Sequence, residues 1–201
     1  MALLKDIAFI QIGYHFRGQV KPARNGWYQL IQIKDVIRGG WCSFDNLISV
    51  DINDLKPEQV LKKSDVILVG RGERRPAVAI TNELDQTTVG SQFFIIRANQ
   101  RVDPNYLAWT LNQDAAQKYF EEKSVGTNVK IVSKEVLSNL PIVLPDLETQ
   151  RTIANLHSLN EKQRYLMNTI AEKRYRLTER ALLDLIQGDK KGPGADDSND
   201  N

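Results

Sequence analysis

Cysteine, histidine and long apolar runs are all scarce in this chain. Cys42 is the only cysteine among 201 residues, so neither a disulfide within the chain nor a cysteine-based zinc site can form. His15 and His157 lie near opposite ends, with no metal-ligand spacing or Ser/His/Asp arrangement around either. The longest apolar runs, such as residues 66–69, are too short to span a bilayer. We therefore expect a non-membrane protein with no metal site and no cofactor.

Residues 1–6 also lack the basic region and apolar core of a secretory signal, which favours a cytoplasmic location. A hydrophobic content of 41% with 26% charged residues is typical of a folded chain and excludes wholesale disorder. Residues 189–201 contain two lysines and four aspartates, so the rest of the chain carries a net charge of +4 against +2 for the whole. This mildly basic body permits a nucleic-acid partner without requiring one.

Residues 1–145 have the mixed pattern of an α+β domain. Strands are predicted around residues 27–33, 66–69, 77–81 and 91–97, where aromatic and β-branched residues cluster. Helices are predicted after Asp103-Pro104, over residues 115–123 and after Ser133, because each start carries a capping residue or helical apolar spacing. A short extended run is expected at residues 140–144.

The second segment, residues 146–187, has no glycine or proline after Pro145 and is predicted to be one long helix capped by Asp146. Such a helix would be roughly 60 Å long, which is too long to be covered by a domain of this size. Its narrow apolar stripe is typical of a coiled-coil arm that needs a partner. We expect dimerisation through Ile153, Leu156, Leu159, Leu166, Ile170, Leu177, Ala181 and Leu185. Residues 188–201 are predicted to be a disordered tail.

No constellation of residues indicates catalysis. Residues 103–106 partly resemble the tetrapeptide with which amino methyltransferases hold a target amine, but the third position differs and no complete glycine-rich loop for a methyl donor follows a strand. Pro145-Asp146 resembles the start of a magnesium-nuclease motif, but no acid-x-Lys triple is placed to complete it. The chain is therefore predicted not to be an enzyme.

Two loops punctuated by glycine and proline concentrate basic side chains. Guanidinium groups form forked donors that suit phosphates and guanine edges, so both loops are candidates for DNA contact, although a solvated turn explains either one equally well. The candidates are Arg71, Arg74 and Arg75 in the loop 70–76, with Arg17, Lys21 and Arg24 in the loop 17–24. A further loop is the weakest candidate, with Gly126, Thr127, Asn128 and Lys130.

The order of several short motifs resembles the target-recognition domain of type I restriction–modification specificity subunits. The resemblance begins with Leu3, Ile7, Gly13 and the segment 30–36, and continues through 64–72, 89–93 and 104–107. It is strongest from Gly126 to Ile153, where residues 145–153 resemble the family's Pro-Pro-Leu-x-Glu-Gln-x-x-Ile entry into a long spacer helix. Asp146 stands where the family has its second proline, and Thr149 where it has glutamate.

This resemblance implies a non-catalytic subunit that reads double-stranded DNA for a DNA adenine methyltransferase subunit and, through it, a translocating nuclease subunit of a phage-defence system. Family members usually carry two recognition domains and two antiparallel helices, whereas this sequence has one of each. It is therefore expected to act as a half-subunit whose long helix pairs antiparallel with a second copy, so that the homodimer reads an inverted bipartite site.

Two other functions stay open from the sequence. A coiled-coil adaptor or regulator that pairs with a full-length specificity subunit would need the same long helix but no DNA contact. A stand-alone enzyme acting on nucleic acid would have to methylate or cut DNA by itself.

Overall fold

The computed structural model describes residues 1–37, 41, 42, 44, 46–126 and 130–188. The predicted tail after Gly188 lies outside these residues. The chain divides into two compact units, Met1–His157 and Ser158–Asn201. The described strands are β1 Ala2–Leu3, β2 Ala8–Ile12, β3 Tyr28–Ile31, β4 Val36–Ile37, β5 Trp41–Cys42, β6 Ile48–Val50, β7 Asp65–Val69, β8 Ala77–Ala79, β9 Thr87–Val89, β10 Phe93–Ala98 and β11 Pro141–Ile142. The α-helices are α1 Leu4–Ile7, α2 Pro104–Asn112, α3 Asp114–Lys123, α4 Lys134–Ser138 and α5 Leu147–Gly188.

The first unit is built around an antiparallel four-stranded sheet in the order β2-β10-β7-β8. Side chains alternate across its two central strands, β7 and β10, as the twofold period of a strand requires. Val66, Leu68 and Ile96 enter a core shared with α2 and α3, whereas Ile67 and Ile95 enter a second core on the other face. The continuous apolar runs in these strands follow from burial on both faces.

A smaller sheet, in the order β6-β3-β9, lies beside the main one, with β3 parallel to β9 and antiparallel to β6. Leu30, Val50 and Ile52 form its small core, over which Tyr14 and Phe16 pack. The pairs β1-β11 and β4-β5 complete the described sheets. Strands β2, β6 and β9, like the two-residue strands β1, β4 and β5, were not predicted from the sequence.

Capping residues define the starts of the helices as the sequence predicts. The Asp103 carboxylate accepts hydrogen bonds from the backbone N–H groups of Asn105 and Tyr106, and Ser133 accepts one from Val136. Asp146 Oδ1 accepts from the Thr149 amide at 2.9 Å at the start of α5. The predicted α+β class, with one long C-terminal helix, is confirmed.

Helix α5 contains 42 residues and is roughly 63 Å long. Its first turns belong to the first compact unit, which extends to His157. The domain boundary predicted at residue 145 stays a prediction. Gln150 and Ala154 are buried there, and Gln150 Nε2 donates to the backbone oxygens of Arg101 and Pro145.

Among the described residues, no helix combines the length and apolar character needed to cross a membrane.

Packing of these first turns also partly covers one predicted dimerisation residue. Ile153 lies partly buried against the main core of the first unit, so its side chain is largely committed within the chain. The other seven predicted residues of the stripe are exposed, with Leu159 65% and Leu177 68% accessible. The apolar stripe that is free for a partner therefore begins at Leu156.

Candidate nucleic-acid interface

The sheet topology brings separate loops to one end of the main sheet. Because neighbouring strands are antiparallel, β2 and β7 finish at the same end at which β8 and β10 begin. We call this the loop end of the sheet. The segment after β2 starts there and the turn before β10 ends there. The loop 70–76 lies there too, between β7 and β8. Segments far apart in sequence therefore share one surface.

The turn Gly90–Gln92 links two of these segments. On one side, the Tyr14 amide donates to Val89 O at 2.8 Å and His15 Nδ1 lies 3.4 Å from Ser91 Oγ. On the other side, the Gly70 amide donates to Gln92 O at 2.8 Å. This turn is absent from the sequence-based candidates because nothing in its composition marks it; only the strand order shows its position.

Close approach at this turn explains the glycine at position 13. A Cβ atom built on Gly13 would lie 2.3 Å from Gly90 O and 2.5 Å from Val89 O, distances that side-chain carbons do not tolerate. Only glycine allows the two backbones to approach this closely. Gly13 therefore serves to hold the start of the first basic loop against the turn.

The loop 70–76 is joined by hydrogen bonds to the segment 124–132. The Val132 amide donates to Gly70 O at 2.9 Å, and the Gly72 amide donates to Lys130 O at 3.2 Å. Gly72 has a φ of +98°, the left-handed region that glycine adopts most easily. The segment 124–132 in turn pairs with itself between Val125 and Ile131. The two segments therefore form one joined surface, which we call the basic hairpin pair.

Three predicted DNA-contacting residues are exposed on the basic hairpin pair: Arg71, Arg74 and Lys130. The backbone of Arg71 forms an isolated antiparallel β-bridge with Ile131. Lys130 Nζ lies 3.3 Å from Glu121 Oε1 in an exposed ion pair. Val125 and Ile131 expose apolar side chains on the same surface. Thr127 and Asn128 lie outside the described residues. The structure thus brings together one basic loop and the weakest of the predicted candidate segments.

The predicted DNA contact of Arg75 is corrected by the structure, because its side chain is fully buried and cannot reach a duplex. Nη2 donates to Ser124 Oγ at 3.0 Å, and Nη1 donates to the backbone oxygen of Glu73 at 3.4 Å. Nε has no hydrogen-bond partner among the described residues. Burial lowers the pKa of the Arg75 guanidinium, while the nearby Glu121 carboxylate acts in the opposite direction. Arg75 therefore supports the loop from inside and does not contact a ligand.

Two amide side chains hold the end of the same loop. Gln117 accepts from the Arg75 amide through Oε1 at 3.0 Å and donates to the Arg75 carbonyl through Nε2 at 3.0 Å. In the same way, Asn112 accepts from the Ala77 amide through Oδ1 at 2.9 Å and donates to the Ala77 carbonyl through Nδ2 at 2.7 Å. Both amides come from α2 and α3, so these helices fix the loop backbone on which Arg74 lies. Sequence reasoning missed these residues because their partners are up to 42 positions away.

The first basic loop is placed differently. Arg17, Lys21 and Arg24 are all exposed, as expected. Its start lies at the loop end, where the Tyr14 hydroxyl donates to Asp54 Oδ1 at 2.6 Å, a bond that raises the pKa of Tyr14. Farther on, the Ala23 amide donates to Ser49 O in β6. Lys21 and Arg24 therefore lie on the part of the loop that is joined to the small sheet, whereas Arg17 lies close enough to Tyr14 that its charge acts to lower the pKa of that residue, against the larger effect of Asp54.

The geometry of the described residues provides surface cations and hydrogen-bond donors, and places no acid–base pair in a cleft among them. A shallow, open recess lies between Trp27, Ile52, Asn53 and Gln86. No group of three or more His, Cys, Asp or Glu residues is placed to hold a metal among the described residues. Forked, exposed guanidinium groups on a fixed loop are suited to phosphates and to base edges in the major groove.

Residues 3–172 match the family model of the type I restriction modification DNA specificity domain. The chain belongs to this family. No curated protein sequence matches the chain at a significant level. The resemblance found from the order of sequence motifs is confirmed by the family match.

Solved structures of specificity subunits share the fold of this specificity domain. The S subunit of a type I system from M. genitalium aligns with a TM-score of 0.55 at 13% identity, over 89% of this chain and 43% of that one. A structure concerned with assembly and conformational transition of the type I R-M system aligns with a TM-score of 0.55 at 20% identity, over 90% of this chain and 44% of that one. The HsdS subunit from Thermoanaerobacter tengcongensis aligns with a TM-score of 0.50 at 19% identity, over 90% of this chain and 43% of that one. This chain spans less than half the length of each of these three matched chains.

Proposed function

We propose that this specificity-family chain is a sequence-specific DNA-recognition subunit that works as a homodimer. Each copy reads one half of an inverted bipartite site, and the dimer directs methyltransferase and nuclease subunits to it. The observation that carries the proposal is the basic hairpin pair, where Arg71 and Arg74 lie exposed on a loop held from inside by Arg75.

Rigid support of this loop favours sequence reading over loose attraction. A contact to a base edge requires a donor held in place, because an arginine bonds guanine through two parallel hydrogen bonds. The loop backbone is held by Gln117 and by the amide and carbonyl of Gly70, so Arg71 and Arg74 start from a fixed frame. Arg17 and Lys130 would then supply phosphate contacts around them, and Lys21 and Arg24 more distant ones.

The exposed stripe of α5 supports the homodimer. Leu156, Leu159, Leu166, Ile170, Leu177, Ala181 and Leu185 all remain exposed in the single chain. Contiguous apolar surface of this kind marks an interaction site. Pairing with the same stripe of a second copy, in antiparallel orientation, buries both stripes and places the two recognition domains at opposite ends. The twofold symmetry of such a pair obliges both domains to read the same sequence in inverted orientation.

The partners follow from the same proposal. A subunit without its own catalytic residues acts by placing others, so the chemistry would come from a DNA adenine methyltransferase subunit and a translocating nuclease subunit. The exposed Val125 and Ile131 are available for a protein contact beside the DNA-reading loop. We expect the isolated chain neither to methylate DNA with a labelled methyl donor nor to cut it with magnesium.

Fluorescence anisotropy with labelled duplex DNA tests the proposal. Pure protein is titrated into random-sequence duplex at low and at moderate salt, and bound duplexes are then selected from a random pool by repeated rounds. We expect binding that weakens steeply with salt, followed by enrichment of two inverted half-sites with a constant spacer. Absence of salt-dependent binding at low salt would reject DNA recognition.

The adaptor is the second candidate, and the exposed helix stripe supports it as well as it supports the homodimer. An adaptor pairs its α5 with the helix of a full-length specificity subunit and makes no DNA contact of its own. It would show no steep salt-dependent binding to duplex DNA, yet would form a stoichiometric complex with the larger subunit. The same anisotropy titration therefore separates the two functions.

A further inference from the structure

The exposed part of α5 carries an internal repeat of 11 residues. Residues 161–171 and 172–182 both begin with Glu-Lys, and Leu166 and Ile170 in the first correspond to Leu177 and Ala181 in the second. An 11-residue period corresponds to about 3.67 residues per turn, close to the 3.6 of a straight helix. The apolar stripe therefore runs almost parallel to the helix axis, and residues flanking it keep to one side along its whole length.

One flank of this stripe is basic. At about 100° per residue, Lys162, Lys173 and Arg180 project roughly 60–80° from Ile170 on the same side, and Arg176 lies just beyond them. All four side chains are exposed. Glu161, Glu172 and Glu179 each precede one of these cations by one residue, which places them on the back of the helix, away from the stripe.

In the part of the chain that the structure describes, the four cations of this flank form no intramolecular ion pair. The other flank carries two arginines: Arg174 lies about 40° from Ile170, and Arg164, about 120° from it, pairs with Glu161. Among the described residues, none of Lys162, Lys173, Arg176 or Arg180 pairs with a carboxylate. Asp184 is the one acid near this side and stands four positions after Arg180. The flank thus presents its charge to solvent or to a partner over roughly 27 Å, the rise of the 18 residues from 162 to 180.

Antiparallel pairing has a definite consequence for this flank. The twofold axis of such a pair is perpendicular to the plane that contains both helices, so it maps each flank onto the same face of the dimer. A parallel pair would place the two basic flanks on opposite faces. The antiparallel homodimer therefore collects the four cations of each copy on one face, where they repel one another unless an anionic partner covers them.

We propose that this basic face binds the phosphate backbone of the DNA between the two half-sites. The inference rests on the proposed function, because it requires the antiparallel dimer on DNA. A face roughly 27 Å long would follow about 8 base pairs of B-DNA, given one phosphate charge per ≈1.7 Å of duplex. These contacts read no sequence; they hold the spacer against the helix pair and make DNA binding and dimerisation mutually favourable.

The test compares a double variant, Lys162→Gln with Lys173→Gln, with Arg164→Gln as the matched control on the other flank. Each protein is titrated over a range of salt with the bipartite duplex selected by the wild type. We expect the double variant to bind more weakly, with a salt slope lower by up to about 3.6, since four cations are lost per dimer at about 0.9 each. Arg164→Gln should keep nearly the wild-type slope.

Two further measurements make the result specific. Neutral methylphosphonates in the spacer should weaken the wild type and have little effect on the double variant. Without DNA, the double variant should dimerise as well as or better than the wild type, because removing the cations relieves repulsion. Circular dichroism checks that its helix is intact.

A wild-type salt slope in the double variant would overturn the inference while leaving the proposed function in place, and would indicate that the flank faces a protein. Loss of dimerisation in the double variant would also overturn it, since the cations would then support pairing directly. A wild type that binds no duplex at all would reject the proposed function and the inference with it.

Discussion

The buried guanidinium of Arg75 donates through Nη2 to Ser124 Oγ at 3.0 Å, and so connects the loop 70–76 to the segment 124–132. Ser124 also closes α3 by donating to the Phe120 carbonyl. One side chain thus ties a basic loop, a helix end and a second loop together. The position of the exposed Arg74 therefore depends on the buried Arg75, which follows it in the chain.

We predict that Arg75→Ala destabilises the fold by roughly 2–3 kcal/mol, because it leaves a cavity in the interior and removes the donor to Ser124 Oγ. Ser124→Ala should cost about 2 kcal/mol, because Ser124 makes two hydrogen bonds, each with a typical net value of about 1 kcal/mol. Urea unfolding of each variant measures both. Arg74→Ala, at an exposed position, serves as the control and should stay within about 0.5 kcal/mol of the wild type. Equal stability of Arg75→Ala and Arg74→Ala would contradict the burial of Arg75.

Arg74→Ala should instead weaken DNA binding. A base contact predicts a loss of roughly 1–3 kcal/mol on the selected site and a smaller preference for it over other sequences. A phosphate contact predicts uniform weakening on all sequences, with the salt slope lower by about 0.9 per site. Anisotropy titrations with selected and random duplexes distinguish these results. Arg101→Ala removes an exposed arginine beyond the opposite end of the sheet and should change neither quantity; no effect of Arg74→Ala would exclude this loop from the interface.

Ile170→Asp should prevent self-association. The side chain is 52% exposed in the single chain and lies at the middle of the apolar stripe, so a carboxylate there would be buried between two copies. Light scattering at micromolar concentration should give twice the 22.9 kDa chain mass for the wild type and the monomer mass for the variant. Leu183→Asp, an equally exposed leucine well off the stripe, should remain dimeric. A wild-type mass of one chain would disprove the homodimer.

The start of α5 should be sensitive to acid. Hydrogen bonds from the Thr149 amide and hydroxyl lower the pKa of Asp146 below its ordinary value of 3.8. A lowered pKa in the folded state means that the ionised carboxylate stabilises the fold above pH 3.8, and that this contribution is lost as the pH falls through the lowered pKa. Thermal unfolding of wild type and Asp146→Asn between pH 5 and pH 2.5 measures the effect.

Asparagine keeps the capping oxygen but cannot ionise, so this comparison isolates the charge. The wild type should be the more stable protein at pH 5, and the difference should shrink towards pH 2.5. A difference that is unchanged across this interval would show that the carboxylate charge contributes nothing to the helix start.

Local signals in the sequence predicted most of the regular structure. Asp103 with Pro104, Ser133 and Asp146 each began a helix because their side chains cap the first backbone amides within three residues. The buried strands at 66–69 and 93–97 were recognisable because both of their faces are covered. The family resemblance likewise came from the order of short motifs along the chain, and the family match over residues 3–172 confirms it.

The sequence by itself determined the helices from α2 onwards, the main buried strands, the α+β class and the apolar stripe of the long helix, because these depend on caps and periodicities spanning a few residues. The tertiary structure alone decided which residues meet. It brought the loops after β2 and β7 to one end of the sheet, and it turned Arg75 inward while Arg71 and Arg74 stayed exposed. Strand order and burial depend on contacts between residues far apart in the chain, such as Arg75 with Ser124, and a local pattern carries no record of those contacts.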